Sequence, residues 1–508
     1  MFPRSCGILL HPTSLPGPFG IGSIGAGAFR FVEFLAAAGQ RIWQVLPLGP
    51  TGYGDSPYQL FSAFAGNPLL IDLETLREER LLDDADLAGA PEFPEDRIDY
   101  GAVIAYKMPL LGRAYRNYLE RGDAGTRDEF EDFCEDHAAW LADYALFMAL
   151  KEAHGGEAVW TRWHPEMRSR EPAALRHWSE RLWPRIDEIR FAQFLFHRQW
   201  QAVRARCAAL GIRILGDLPI YVAHDSADVW AHPQFFQLDE RGRPEFVAGV
   251  PPDYFSATGQ LWGNPVYRWE ALAAAGYSWW VERFRAALEQ FDALRVDHFR
   301  GFEAYWQAPA GAADASGGRW VKGPGADLFR AVAAALGPLP VVAENLGVIT
   351  PEVEAIREEF GFPGMSILQF AFGNDPQAPD FKPHNYPRNR AAYTGTHDND
   401  TVEGWWQSAG EHDSVRTAED VAREKAYALE YLGSDGREMH WVMMRALLAS
   451  VADTVLYPLQ DVLGLGSEAR MNTPATRSGN WRWRCRPGML EAGVAGRLRR
   501  LAALYDRV

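Results

Sequence analysis

Hydrophobic residues along the chain collect into short runs that end in polar or Gly/Pro residues. Eight stand out: CGILLHP (6–12), RIWQVLPLGP (41–50), IRILGDLPIYV (212–222), ALRVDHFRG (293–301), LPVVAENLG (339–347), GMSILQFAF (364–372), AAYTGTHDND (391–400) and DTVLYPLQDVLGL (453–465). Most are apolar through their first half, as strands buried on both faces must be. Between several of them the apolar positions recur with helical spacing, as in 26–39, 278–291, 325–337 and 350–361. The last of these places Thr350 at the N-cap position and Pro351 at the first helical position, with Glu352 and Glu354 facing the positive end of the dipole.

Eight strands alternating with helices predict a (β/α)8 TIM barrel. The interval from Glu344 to Phe370 is 26 residues and that from Phe370 to His397 is 27, close to the roughly 31 residues per unit of a ~250-residue barrel. Two intervals are too long for one helix. The first, 51–211, reads as an inserted, mainly helical subdomain containing the helical stretch 137–153. The second, 223–292, reads as an inserted subdomain whose Gly-, Pro- and aromatic-rich segment 249–259 suits a loop over an active site. The whole chain, 1–508, is then a single catalytic barrel. Residues 308–318 (APAGAADASGG) read as a flexible loop tip.

Strand ends matter because a barrel of this type works at the C-terminal ends of its strands. Asp217, Asp297, Glu344 and Asp398 end the third, fourth, fifth and seventh runs, so the topology brings four carboxylates to one rim. Each alone could serve a turn; together they fit the cleavage of a glycosidic bond, in which one carboxylate attacks the anomeric carbon or guides water and another protonates the leaving oxygen. Arg295 precedes Asp297 by two residues and shares its face on a strand, where a cation favours the ionised nucleophile. Glu344 follows Val341, Val342 and Ala343, an apolar setting that raises a carboxyl pKa and suits a general acid. Asp398 would stabilise positive charge on the sugar ring or grip its hydroxyls. The pairs Asp297-His298 and His397-Asp398 could instead ligate a metal, but adjacent strand residues face opposite ways and neither H-x-H nor H-E-x-x-H occurs. No metal or cofactor is expected.

Composition narrows the partners. The formal charge of −16 argues against nucleic acid and anionic membranes and suits neutral sugars. Tryptophan is abundant, at 19 residues, which fits a large core and also stacking on sugar faces. The four cysteines lie far apart with no C-x-x-C pair, as reduced thiols of a cytoplasmic protein would. Prolines interrupt the N-terminal stretch before a secretory apolar run develops, and no apolar run is long enough to span a bilayer.

Longer motifs carry a resemblance. GILLHPTSLPGPFGIG (7–22), WQVLPLGPTGYGDSPYQ (43–59), SAFAGNPLLIDL (62–73), GDLPIYVAHDSADVW (216–230), GVPPDYFSATGQLWGNPVY (249–267), RVDHFRGF (295–302), YTGTHDNDT (393–401) and ARMNTP (469–474) resemble, nearly end to end, the amylomaltases, the 4-α-glucanotransferases of glycoside hydrolase family 77. About 43 residues follow the eighth strand, which fits that family in lacking a C-terminal β-sandwich. The resemblance implies a retaining double displacement with Asp297 as nucleophile, Glu344 as acid and then base, and Asp398 as transition-state stabiliser. It implies that Arg295, His298, His397, Asp217, Tyr58, Trp262, Asn264 and Asn472 bind substrate, that Tyr254 and Phe255 sit on a loop covering the cleft, and that Tyr53 and Tyr100 form a remote glucan-binding surface. Its partners would be α-1,4-glucans and maltooligosaccharides with glucose as acceptor, acted on by a monomer or weak homodimer. An α-glucan hydrolase and a non-catalytic glucan-binding barrel are the alternatives. One departure stands out: the family usually reads A-E-D-L-G where this chain has Asn345 after Glu344, and loss of that neighbouring anion is expected to lower the Glu344 pKa.

Overall fold

The computed structural model describes residues 3–156, 158–252, 258–409, 417–476 and 478–508. Eight parallel strands are the framework: β1 Ser5–Leu9, β2 Ile42–Gln44, β3 Arg213–Leu218, β4 Ala293–Val296, β5 Val341–Ala343, β6 Gly364–Ile367, β7 Arg390–Tyr393 and β8 Thr454–Pro458. Their order is β6-β7-β8-β1-β2-β3-β4-β5. The Ala343 N–H donates to the Pro363 carbonyl at 2.8 Å, which brings β5 back to β6 and closes the ring. All residues of β1, β2, β4, β5, β6 and β8 are buried, which explains why these runs read as continuous apolar blocks.

Each strand occupies only the first part of its apolar run. The remainder bends outward at the rim, which is where the polar endings lie. The helices at 26–39, 278–291, 325–337 and 350–361 are present as Ala26–Ala37, Ser278–Gln290, Ala326–Leu336 and Pro351–Glu359. Thr350 takes the N-cap position of the last, although its hydroxyl makes no capping bond to the helix backbone.

The segment between β2 and β3 is mainly helical. It includes Tyr100–Arg121, Ala124–Asp136 and Ala138–Ala153 and ends in the 27-residue helix Trp183–Ala209. That helix packs against Ala26–Ala37 and β3, so it also serves as the outer helix feeding the third strand. A second sheet is antiparallel, in the order Gln260–Pro265, Phe246–Val250, Ala304–Pro309, Arg319–Lys322. It pairs the second insertion with a hairpin that follows β4. The stretch 308–318 is consequently the tied tip of that hairpin: Ala315 is fully buried, its N–H donates to Thr258 O at 3.1 Å, and its carbonyl accepts from Trp306 Nε1 at 2.9 Å. All four cysteines are free and buried. Among the described residues no helix is long and apolar enough to cross a membrane.

Candidate active site

Arg295 is the centre of the rim. Its side chain is 5% exposed; Nη1 donates to both carboxylate oxygens of Asp217, at 2.9 and 2.7 Å, and Nη2 lies 2.8 Å from Asp297 Oδ1. Arg295 on β4 and Asp297 just past its end therefore lie side by side. One guanidinium serves carboxylates from two neighbouring strands, since β3 and β4 pair with Asp217 opposite Arg295. Burial pushes the Asp217 carboxyl up, while Arg295 and the Tyr58 hydroxyl pull it back. Burial works against the Arg295 charge, and the two carboxylates more than offset it.

After Val296 the chain leaves the strand abruptly. His298 takes a left-handed conformation (φ 48°, ψ 48°), a rare backbone state for a side chain with a Cβ. Its N–H donates to Glu344 Oε2, 2.8 Å away. Gly301 makes room for the arrangement: a Cβ there would lie 3.0 Å from the His298 ring and 2.7 Å from Ile220. The His298 ring packs edge-on to Trp262 at 4.8 Å, its Nε2 has no hydrogen-bond partner, and burial pushes its pKa down to about 4.

Glu344 is 8% exposed and also accepts from Leu346 N–H, at 2.9 Å. Burial, reinforced by the Asp297 charge, raises its carboxyl to about 7; Arg295 and the two backbone N–H groups oppose the rise without cancelling it. Asn345 points elsewhere. Its Oδ1 accepts from Met365 N–H at 2.8 Å and its Nδ2 donates to Glu354 Oε1 at 2.7 Å, so it binds β5 to β6.

On the opposite side, His397 Nε2 lies 3.4 Å from Asp398 Oδ2. Asn472 Nδ2 donates to Asp398 Oδ1 at 2.6 Å, and Arg470 Nη2 to the Asp398 carbonyl at 2.7 Å. Burial alone would raise Asp398 and lower His397, but their mutual attraction reverses both: Asp398 is held well below the usual carboxylate range and His397 is raised. Tyr58 joins the two halves. Its hydroxyl donates to Asp217 Oδ2 at 2.8 Å and lies 3.3 Å from His397 Nδ1, and its ring stacks on the imidazole at 4.9 Å.

Trp262 faces His298, and Asn264 is buried, donating to Val222 O at 2.9 Å and accepting from Gln59 Nε2 at 3.3 Å. Tyr254 and Phe255 lie outside the described residues. The backbone of Tyr53 is in the turn Tyr53–Asp55. Tyr100 is buried, with its hydroxyl on the Trp481 carbonyl at 2.9 Å, and lines a small pocket with His11, Asp55 and Trp481.

Trp481 is an addition that no pattern in the sequence announced. It sits at φ 62°, with its ring 5.8 Å from His397 and 6.0 Å from Tyr58. Asp461 is another. It is fully buried, accepts from Thr394 Oγ1 at 2.6 Å and Val402 N–H at 2.8 Å, and so pins both ends of the loop that carries His397 and Asp398.

A buried cation between carboxylates, a carboxyl near neutral pKa and an ionised Asp398 on one barrel rim are the parts of a glycosidic-bond site. Comparison with known proteins agrees. The profile of the glycoside hydrolase 77 family, described as 4-alpha-glucanotransferase, matches residues 10–490. A 4-alpha-glucanotransferase of Thermus thermophilus is 53% identical over 100% of this chain and 99% of its own length. One from Synechocystis is 52% identical over 99% and 98%. The structure of an amylomaltase from Streptococcus agalactiae in complex with acarbose superposes with a TM-score of 0.93 at 38% identity, covering 99% of each chain. On the rim geometry and these full-length matches, the chain belongs to glycoside hydrolase family 77, the 4-α-glucanotransferases.

Proposed function

We propose that Asp297, Glu344 and Asp398 carry a retaining transfer of α-1,4-glucan segments from a maltooligosaccharide or starch donor to the 4-hydroxyl of glucose or another glucan. The carrying observation is the contrast on one rim between Glu344, raised to about 7, and Asp297, which is paired to Arg295 at 2.8 Å. An Asp297 oxygen attacks the anomeric carbon while Glu344 gives its proton to the departing glycosidic oxygen. This forms a glycosyl ester and frees the shortened glucan. Glu344, now a carboxylate, takes the proton from the incoming 4-hydroxyl as that oxygen attacks the same carbon and displaces Asp297. Two inversions retain the α configuration. Asp398, ionised by His397 and Asn472, offsets the positive charge that develops on the ring.

Arg295, Asp217 and Tyr58 form a fixed polar base under the donor sugar, and His298, His397 and Asn472 present edges to its hydroxyls. Trp262 and Asn264 come from the insertion 223–292 and Tyr58 from 51–211, so the two insertions supply walls that the bare barrel lacks. Purified protein with maltotriose alone tests the reading. Glucose plus a ladder of longer maltooligosaccharides, with little gain in total reducing ends, is expected. Glucose and maltose without longer products would mean hydrolysis and overturn it.

A further inference from the structure

A second concave site lies outside the rim, between the loop that follows β1, the helix Ala26–Ala37 and the chain after β8. It is a cavity of about 580 Å³ whose lining includes Arg30, Phe93, Glu95, Arg484 and Arg486 beside three prolines. None of the rim carboxylates reaches it. The volume is that of a small-molecule site.

The walls are preformed. Arg484 is 2% exposed and donates from Nη1 to Pro94 O at 2.9 Å and from Nη2 to Gly17 O at 2.7 Å, which ties one wall to the other. Phe93 is held from behind by Gly20, at φ 76°; a Cβ on Gly20 would meet the Phe93 ring at 2.3 Å. The Phe93 ring is also braced by Tyr106, packed edge-on at 5.8 Å.

The charge is unusual for this molecule. The chain carries a net −16, yet the cavity has three arginines against one acid, Glu95. Arg484 is committed to the walls. Arg30 and Arg486 are exposed, and among the described residues neither guanidinium has a hydrogen bond or ion pair. Free guanidiniums recognise phosphate and carboxylate oxygens. An excess of two positive charges matches the roughly −1.5 to −2 charge of a phosphate monoester at neutral pH. Rings and prolines beside it suit a flat apolar face.

We propose that this cavity binds a sugar phosphate, with the phosphate on Arg30 and Arg486 and the apolar face of the sugar on Phe93, at a site separate from the glucan cleft. Isothermal titration of the full-length protein with glucose 1-phosphate, inorganic phosphate and maltose tests it. Saturable binding of glucose 1-phosphate is expected, tighter than that of inorganic phosphate and weakened by salt. Arg30→Gln with Arg486→Gln should weaken it by about tenfold or more, the equivalent of about one charge-assisted hydrogen bond. Both side chains are exposed, so the fold and the rate of maltotriose disproportionation should be unchanged. Phe93→Ala should weaken glucose 1-phosphate while sparing inorganic phosphate. Absence of saturable binding, or binding that the double variant leaves intact, overturns the proposal. Equal binding of inorganic phosphate and glucose 1-phosphate would mean a bare anion site, and equal binding of maltose a neutral glucan surface; either result also overturns it.

Discussion

The backbone N–H of His298 donates to Glu344 Oε2 at 2.8 Å. The residue that follows Asp297 in the chain thus holds the carboxyl proposed to work opposite it. The left-handed turn at His298 is the backbone state in which this bond is made, and the next N–H, of Phe299, donates to the Glu344 carbonyl at 3.1 Å. Asp297 and Glu344 are positioned as a unit, and the predictions below follow from how that unit is charged.

Glu344 must be protonated to release the first product. Its carboxyl, raised to about 7, is protonated on the acid side of that value and ionises as pH rises through it. The disproportionation rate should fall on an alkaline limb with a midpoint near 7. Glu344→Gln should remove that limb and lower kcat by roughly 10²–10⁴-fold. A pH series of maltotriose turnover checks both. The same shift bears on stability. A carboxyl whose pKa is higher folded than unfolded stabilises fully below its unfolded value, and that contribution is lost as pH rises through about 7. Denaturant midpoints of the wild type should therefore decline between about pH 5 and 8.

Arg295 cannot be replaced by lysine without loss. Its two Nη atoms serve Asp217 and Asp297 separately, whereas an ammonium is a point charge that cannot span both in that geometry. Arg295→Lys should lower kcat/KM by two orders of magnitude or more, roughly 3 kcal/mol of transition-state stabilisation. Arg295→Met leaves Asp217 buried without its partner and should cost about 3–5 kcal/mol of folding stability. Asp217→Asn combined with Arg295→Met should recover part of that cost in a double-mutant cycle by chemical denaturation.

His397 should titrate above the ordinary imidazole range, because Asp398 outweighs the burial that would lower it. NMR titration of the ring should show this. In Asp398→Asn the imidazole pKa should fall, since burial is then less opposed. The stability contributed by the His397–Asp398 pair is present between the unfolded carboxylate and unfolded imidazole ranges; it is lost as pH rises through the raised His397 pKa and as pH falls through the depressed Asp398 pKa. A ring pKa that is the same in both proteins would disprove the coupling.

The barrel was legible because its strands are buried on both faces and read as compact apolar runs, and because the rim acids sit where those runs end. Asp297 was read from the end of its apolar run, and the place of Arg295 beside it from the two-residue spacing. What escaped has no period to read. Trp481 reaches the site from the segment after β8 on a left-handed backbone. The antiparallel sheet joins Phe246–Val250 to Ala304–Pro309 across the whole of β4, a non-local pairing without a local signature. Tyr100 offered an aromatic at a loop boundary, but its position at the start of a helix turns it inward beneath Trp481.

Asn345 was expected to act on Glu344 through lost charge, and its contacts assign it a different task. Its amide uses both ends: Oδ1 accepts from Met365 N–H and Nδ2 donates to Glu354 Oε1. These bonds lie at the seam where β5 meets β6, beside the Ala343–Pro363 backbone bond that closes the ring. An aspartate could keep the first bond, but its second oxygen would face the Glu354 carboxylate. Arg357, 2.6 Å from Glu354 Oε2, would soften the repulsion without removing it. Asn345→Asp should therefore cost about 1–3 kcal/mol at neutral pH, the penalty for a lost partly buried bond to a charged group. The two carboxylates would raise each other's pKa in the folded state, so the loss should shrink as pH falls toward the unfolded carboxylate range near 4. Urea denaturation at pH 8 and pH 4.5 measures the difference. The alkaline limb of turnover should stay in place, because Asn345 makes no bond to the Glu344 carboxyl. A stability loss equal at both pH values would remove the charge argument, and a displaced limb would restore the view that position 345 acts through Glu344.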